Sequence, residues 1–289
     1  MDDLDAALAR AADAIRSADA LLIGAGAGMG VDSGLPDFRG PEGFWRAYPV
    51  FRGRGLRFEQ MSNPVWFRRD PKQAWGFFGH RLNLYRSAVP HEGFKRLLRF
   101  AQGRRGGYFV FTSNVDGHFQ RAGFEPSRVI ECHGSIHFLQ CAAVCSTETW
   151  PADGLAVDVD LETIQATSSL PACPRCGSVA RPNILMFGDW DWCDGRTAEQ
   201  LDRYAAWLAD IEQAGHRLTV IELGAGTGVP TVRQECQRRS ADLGGQLIRV
   251  NPRDDDVPPG GIAIALGALE ALRRIEALIQ KDSGAAECL

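Results

Sequence analysis

The sequence predicts an α/β fold: a doubly wound, Rossmann-like parallel sheet with a smaller inserted domain made of a zinc ribbon and helices. Three observations carry this reading. Short apolar runs alternate with amphipathic stretches along the chain. The first such run ends in a glycine-rich loop within LLIGAGAGMGVDSGLPDFRG (Leu21 to Gly40), and four of the eight cysteines fall into two close pairs.

Taken in order, an amphipathic helix over about Leu4 to Ser17 leads into an apolar strand, Ala20 to Ile23. Later apolar runs read as further buried strands of a mostly parallel sheet: Tyr108 to Thr112, Val129 to Cys132, Asn183 to Phe187, Leu218 to Leu223, Gln246 to Val250 and Gly261 to Ala265. Helices with apolar positions three and four apart fall between or after them, at Ala198 to Gly215, Val229 to Arg239 and Ala268 to Lys281. Two stretches break the alternation. One, Pro41 to Ser87, is rich in aromatics and arginines; the other, Ser135 to Pro182, holds the cysteine pairs. The expected division is a nucleotide-binding domain of residues 1–40, 88–134 and 183–289, with a small domain of 41–87 and 135–182.

A chain of 289 residues, 45% hydrophobic and 24% charged, can bury a large core. Its net charge of −4 gives no bulk attraction to nucleic acid or anionic membrane, so neither is expected as a partner. The first twenty residues are acidic and amphipathic, without the basic and apolar regions of an export signal, and no apolar run reaches membrane-spanning length. A soluble, cytoplasmic protein is expected.

In such a chain the cysteines point to metal rather than to disulfides. Cys141-x3-Cys145 and Cys173-x2-Cys176, separated by 27 intervening residues, have zinc-ribbon spacing. Four thiolates leave no open coordination position, so the zinc is expected to be structural. Cys132, Cys193, Cys236 and Cys288 stand alone and read as packing or surface residues.

A glycine-rich turn after the first strand brings backbone N–H groups close to phosphate oxygens. Gly24, Gly26, Gly28 and Gly30 do not match the dehydrogenase pattern G-x-G-x-x-G, which disfavours a hydride-transfer enzyme; a purely structural turn is the alternative. Asp37, Phe38 and Arg39, held behind Pro36, read as ligand-facing.

With those motifs in place, the chain resembles the sirtuins, the NAD-dependent protein deacylases. GAGMGVDSGLPDFRG (Gly26 to Gly40) is similar to the family's GAG-x5-GIPDFR loop, and TSNVDGHFQRAG (Thr112 to Gly123) to its TQN-x-D-x-LH-x-x-AG. HGS (His133 to Ser135) resembles the segment carrying the family's catalytic histidine, with Cys141 eight residues on, as the first zinc ligand is there. PNILMFGD (Pro182 to Asp189) resembles the segment beside the substrate peptide, while GAGTGVP (Gly224 to Pro230) and Val250-Asn251 loosely resemble the later cofactor segments.

The resemblance implies deacylation: nicotinamide leaves NAD, and the acyl group of an acyl-lysine protein substrate passes to ADP-ribose. It implies His133 as base, with Asn114 and Asp116 beside it in the nicotinamide pocket. Gly26, Ala27, Gly28, Asp37, Phe38, Arg39, Ser113, Gly224, Gly226 and Asn251 would join Asn114 and Asp116 in binding NAD, and Phe187 and Gly188 would bind substrate. His133 also follows the candidate strand Val129 to Cys132, at a carboxyl edge where open α/β sheets bind ligands, and an imidazole with pKa near ~6.5 suits a base at neutral pH.

Departures from the family pattern are specific. Ser113 replaces a glutamine, Gly30 a common serine and Phe119 a histidine; His118 in the leucine place suggests a second base or a packing residue; and Cys141-x3-Cys145 is one residue longer than usual. Phe78-x-x-Arg81 lies where relatives that remove acidic acyl groups carry Tyr-x-x-Arg: Arg81 can pair with a terminal carboxylate, and Phe78 lacks the hydroxyl. Phe78 and Arg81 are therefore candidate substrate residues. Protein ADP-ribosyl transfer or NAD hydrolysis in the same cleft, and a non-catalytic NAD-binding module, are the alternatives.

Overall fold

A computed structural model describes residues 3–36 and 41–286, so Asp37, Phe38, Arg39 and Cys288 lie outside the described residues. The strands run β1 (Ala20–Ala25), β2 (Tyr108–Thr112), β3 (Val129–Glu131), β4 (Gly134–Cys141), β5 (Thr149–Pro151), β6 (Val159–Asp160), β7 (Gln165–Ala166), β8 (Ala180–Ile184), β9 (Leu218–Leu223), β10 (Gln246–Val250) and β11 (Ile262–Ile264). Six of them form one sheet in the order β11-β10-β9-β1-β2-β3, and every pairing in it is parallel.

This sheet is covered on both faces, which is why its strands read as unbroken apolar runs. Along β1, Leu21, Ile23 and Ala25 pack into one core with the helices Asp3–Ser17, Glu92–Ala101 and Ala268–Ala286. Ala20 and Leu22 face the opposite core, shared with Gly195–Ala214 and Thr231–Asp242. The first helix buries Ala7, Leu8, Ala11, Ala12 and Ile15, a stripe at three- and four-residue spacing, and carries Asp3 and Asp5 in its first turn, where the helix dipole favours anions. No helix among the described residues is long and apolar enough to cross a membrane.

A third core holds the rest together. Short helices (Pro41–Ala47, Pro49–Gly53, Phe58–Met61, Val65–Arg69) surround the helix Pro71–Ser87, which Asp70 caps by accepting from the Gln73 N–H at 3.0 Å. That helix buries Trp75, Phe77, Phe78 and Leu82, and the Trp75 indole N–H donates to the Ala180 carbonyl at 2.8 Å, tying it to β8. β8 pairs antiparallel with β4, which also pairs with β5. This corrects the expected strand at Asn183 to Phe187. It begins three residues earlier, ends at Ile184, and belongs to the antiparallel sheet, because Leu185 and Phe187 are exposed at 37% and 38% whereas Arg181 and Asn183 are buried.

Candidate active site

A cleft of about 860 Å³ runs along the carboxyl ends of the parallel strands, between the large sheet and the aromatic helices. Its floor is built by two glycine loops packed backbone on backbone. The Gly28 N–H donates to the Gly224 carbonyl and the Gly26 N–H to the Leu223 carbonyl, both at 3.0 Å. A Cβ on Gly28 would stand 2.7 Å from Gly224 Cα, and one on Gly224, where φ is +58°, would stand 2.5 Å from Gly28 Cα. The departure from G-x-G-x-x-G follows from this contact: the loop after β1 meets a second loop as well as any ligand, and both must lack side chains.

Asn114 and Asp116 follow β2. The Asn114 amide donates to the Gly26 carbonyl at 2.9 Å, while Thr112 Oγ1 donates to the Ala25 carbonyl and accepts from the Asn114 N–H. Asp116, buried at 6% exposure, accepts from the His118 N–H, and its carbonyl lies 2.9 Å from His137 Nε2. Ser113 lines the same wall and donates its N–H to the Ala25 carbonyl. His133 comes two residues after β3 and lines the cleft with Asn114 and Asp116. Its carbonyl accepts from the Leu185 N–H at 3.0 Å, and the Phe187 N–H donates to the Ser62 carbonyl at 2.9 Å, so the loop carrying Leu185, Phe187 and Gly188 hangs between histidine and helices. Ala27, Gly226 and Asn251 are lining residues as well.

Four expected residues are not part of the cleft wall: Gly26 and Gly188, which stand next to lining residues, and Phe78 and His118, which sit elsewhere. Phe78 is fully buried, stacked on Phe67 at 5.6 Å; its ring backs Arg81, 5.6 Å from the guanidinium carbon, and does not face the cleft. His118 is fully buried and burial pushes its pKa down, so it packs against Phe94 rather than serving as a second base in the cleft.

Arg81 does line the cleft. It donates from Nη2 and Nε to the Tyr85 hydroxyl at 2.9 and 3.1 Å. The sequence reading missed Tyr85, whose signal was its position one helical turn after Arg81.

The four cysteine sulfurs lie within 4.8 Å of one another, with Cys141–Cys176 and Cys145–Cys173 both at 3.6 Å. Tetrahedral zinc with Zn–S bonds near 2.3 Å sets sulfurs about 3.8 Å apart, so the residues fit zinc. The extra residue of Cys141-x3-Cys145 is absorbed by Val144 in the left-handed region, φ 49°. β4 links the two centres: it begins one residue after His133 and ends at Cys141.

Such a fold and site define a class: a doubly wound nucleotide-binding protein with a zinc-ribbon module beside its ligand cleft. The Sir2 family model matches residues 26–201, and the chain belongs to the Sir2 family. An NAD-dependent protein deacylase from Thermococcus kodakarensis is 30% identical over 236 residues, covering 81% of this chain and 80% of that protein. NAD-dependent protein deacylase 2 of Pyrobaculum aerophilum is 30% identical over 250 residues, covering 86% of each. A solved Sir2 homologue in complex with NAD is similar at 25% identity and TM-score 0.67, covering 94% of both chains.

Proposed function

We propose that this protein is an NAD-dependent lysine deacylase that passes an acyl group from a polypeptide to ADP-ribose and releases nicotinamide. The observation that carries the reading is the convergence of His133, Asn114 and Asp116 on one cleft whose floor is the paired glycine loops. NAD, when bound, supplies the nicotinamide leaving group and the ribose hydroxyl that receives the acyl group. His133 takes the proton of that hydroxyl at an imidazole nitrogen. Asn114 and Asp116 would orient the nicotinamide end and the bare floor of paired glycine loops would take the phosphates; Asp37, Phe38 and Arg39, expected to bind NAD, lie outside the described residues. Leu185 and Phe187 present the acyl-lysine polypeptide to the cleft, and the zinc holds β4 and its neighbours in place. The enzyme is cytoplasmic in this reading, with neither nucleic acid nor membrane as partner, in keeping with its net charge of −4.

Arg81 and Tyr85 favour acyl chains that end in a carboxylate. The guanidinium is held against the Tyr85 hydroxyl, and burial pushes the pKa of that hydroxyl up, so it stays protonated as a second donor. The test is incubation with NAD and a peptide library bearing acetyl- and succinyl-lysine, read by mass spectrometry. Nicotinamide with acyl-ADP-ribose is expected, succinyl peptides reacting faster and Arg81→Met reversing that order. ADP-ribosylated protein or free ADP-ribose alone would assign a transferase or hydrolase, and no product a binding module.

A further inference from the structure

After β1 the chain forms a 3₁₀ helix, Ala27–Ser33, of which Ala27, Gly28, Gly30, Val31 and Asp32 line the cleft. The two residues that do not, Met29 and Ser33, both bond to one buried residue, His91. His91 Nε2 lies 2.9 Å from the Met29 carbonyl oxygen, and the His91 N–H donates to Ser33 Oγ at 3.0 Å. On the other side of the ring, Nδ1 accepts from the Gly93 N–H at 3.0 Å and so caps the helix Glu92–Ala101. The imidazole lies against Phe94, with centroids 4.9 Å apart, and it fits because residue 93 is glycine: a Cβ there would stand 2.4 Å from His91 Cε1.

These contacts assign the ring's hydrogen. Nδ1 takes a hydrogen bond from a backbone N–H, so it is bare; Nε2 faces a carbonyl oxygen, so it carries the hydrogen. The ring is neutral, in one tautomer, with both nitrogens used. A proton added to Nδ1 would remove the cap's acceptor and set a cation at a helix N-terminus, where the macrodipole opposes it. The charges around the ring are divided. Asp32 on the loop and Glu92 on the helix favour the cation, His118 across the Phe94 ring opposes it, and the C-terminal helix offers only apolar Leu272. Burial outweighs the two carboxylates and pushes the His91 pKa down.

We infer that His91 is a positioning residue for nucleotide binding: its neutral Nε2–H form latches the glycine loop to the helix Glu92–Ala101 in the shape that receives the cofactor, and protonation at Nδ1 opens the latch. This rests on the cleft taking NAD as proposed above. Nucleotide binds the latched, neutral form, so affinity is full above the ordinary histidine range, near ~6.5, and falls as the pH drops below it.

The experiment is calorimetric titration of NAD into the whole protein, His91→Asn and His133→Ala, between about pH 8 and about pH 5, a range that brackets histidine titration. Asparagine keeps an acceptor for the Gly93 N–H, so the helix stays capped, but it does not titrate and is too short to reach the Met29 carbonyl. The parent's dissociation constant for NAD is expected to rise about tenfold from the top of that range to the bottom. His91→Asn should bind about fivefold more weakly than the parent at the alkaline end, the worth of one hydrogen bond, and hold that affinity within about twofold throughout. His133→Ala should keep the parent's slope, which places the titrating group outside the catalytic pocket. In nitrogen NMR of the nucleotide-free protein, the imidazole signal missing from His91→Asn should carry its hydrogen on Nε2. NAD bound by the parent with an affinity flat in pH, equal slopes in parent and His91→Asn, a slope lost in His133→Ala, or a hydrogen found on Nδ1 overturns this inference alone. A parent that binds no nucleotide overturns the deacylase reading and this inference together.

Discussion

Arg181→Met tests how the substrate loop is held. Arg181 and Asp189 form a two-pronged pair, Nη1 to Oδ2 at 2.7 Å and Nη2 to Oδ1 at 2.9 Å, with side chains 2% and 0% exposed. The same carboxylate accepts from the N–H groups of Met186 and Asp191, both at 3.3 Å, and so bends the chain that displays Leu185 and Phe187. Methionine keeps much of the volume and leaves the carboxylate charged and buried. Breaking a buried pair in this way costs about 3–5 kcal/mol. With a urea dependence of ~3 kcal/mol/M the unfolding midpoint should fall by about 1–1.7 M. Asp189→Leu alone should cost a similar amount. The double variant, which removes both charges, should recover most of the loss, because a buried pair replaced by apolar groups is close to neutral. It should nevertheless keep a raised KM for acylated peptide, since the two N–H groups that shape the loop have lost their acceptor. Single variants within 1 kcal/mol of the parent would refute the charge argument, and a double variant with parental peptide KM would refute the positioning argument.

The remaining expectations concern the base, the metal and acid stability. His133→Ala should bind NAD within a few-fold of the parent while losing about 10²–10⁴-fold in deacylation, measured by calorimetry and product mass spectrometry; parental turnover would remove His133 as the base. One zinc per chain is expected on elemental analysis of protein purified without chelator, and Cys173→Ala should lose both the metal and the melting temperature that depends on it; metal-free protein of unchanged stability would sink the zinc assignment. Asp19 is held at about 2 because it accepts from the Arg217 backbone N–H and from the side chains of Arg105 and Arg217. A carboxyl depressed in this way stabilises the fold above the usual carboxylate range and loses that contribution as pH falls from about 4 towards 2, so the stability gap between parent and Asp19→Asn, measured by denaturant unfolding, should shrink over that window; a gap independent of pH would contradict it.

What the sequence disclosed depended on whether side-chain chemistry matched the local environment. β1, β2 and β9 are apolar because both faces of the sheet are covered, and all three lie where their composition placed them. NILMF misled because Leu185 and Phe187 are apolar at an open cleft rather than in a core, while the true strand carries Arg181 and Asn183, buried with paired side chains. The cysteine pairs were legible from spacing alone, since one metal imposes one geometry on four short side chains. The engaged amide of Asn251 was not, because its partner Ala225 meets it only once β9 and β10 lie side by side. Tyr85 and Phe78 exchange parts for a related reason: on a helix flanked by aromatic residues on several sides, only packing decides which ring reaches the cleft.

The cleft is held in two different ways. Its floor is backbone on backbone, Gly28 against Gly224, where a side chain has no room and charge has no part. Its two flanks are held by buried guanidinium groups, Arg181 on the peptide side and Arg233 with Arg249 on the nucleotide side, each reaching into a loop that exposes ligand-facing residues. A buried arginine with several donors can fix the shape of an irregular loop whose own carbonyls would otherwise need water, and it does so without covering the surface that the loop presents. Substitutions in the floor should therefore abolish nucleotide binding outright by steric overlap. Substitutions behind the flanks should separate the two ligands: loss of Arg181 raises KM for peptide with NAD affinity retained, whereas loss of Arg233 weakens NAD with peptide affinity retained.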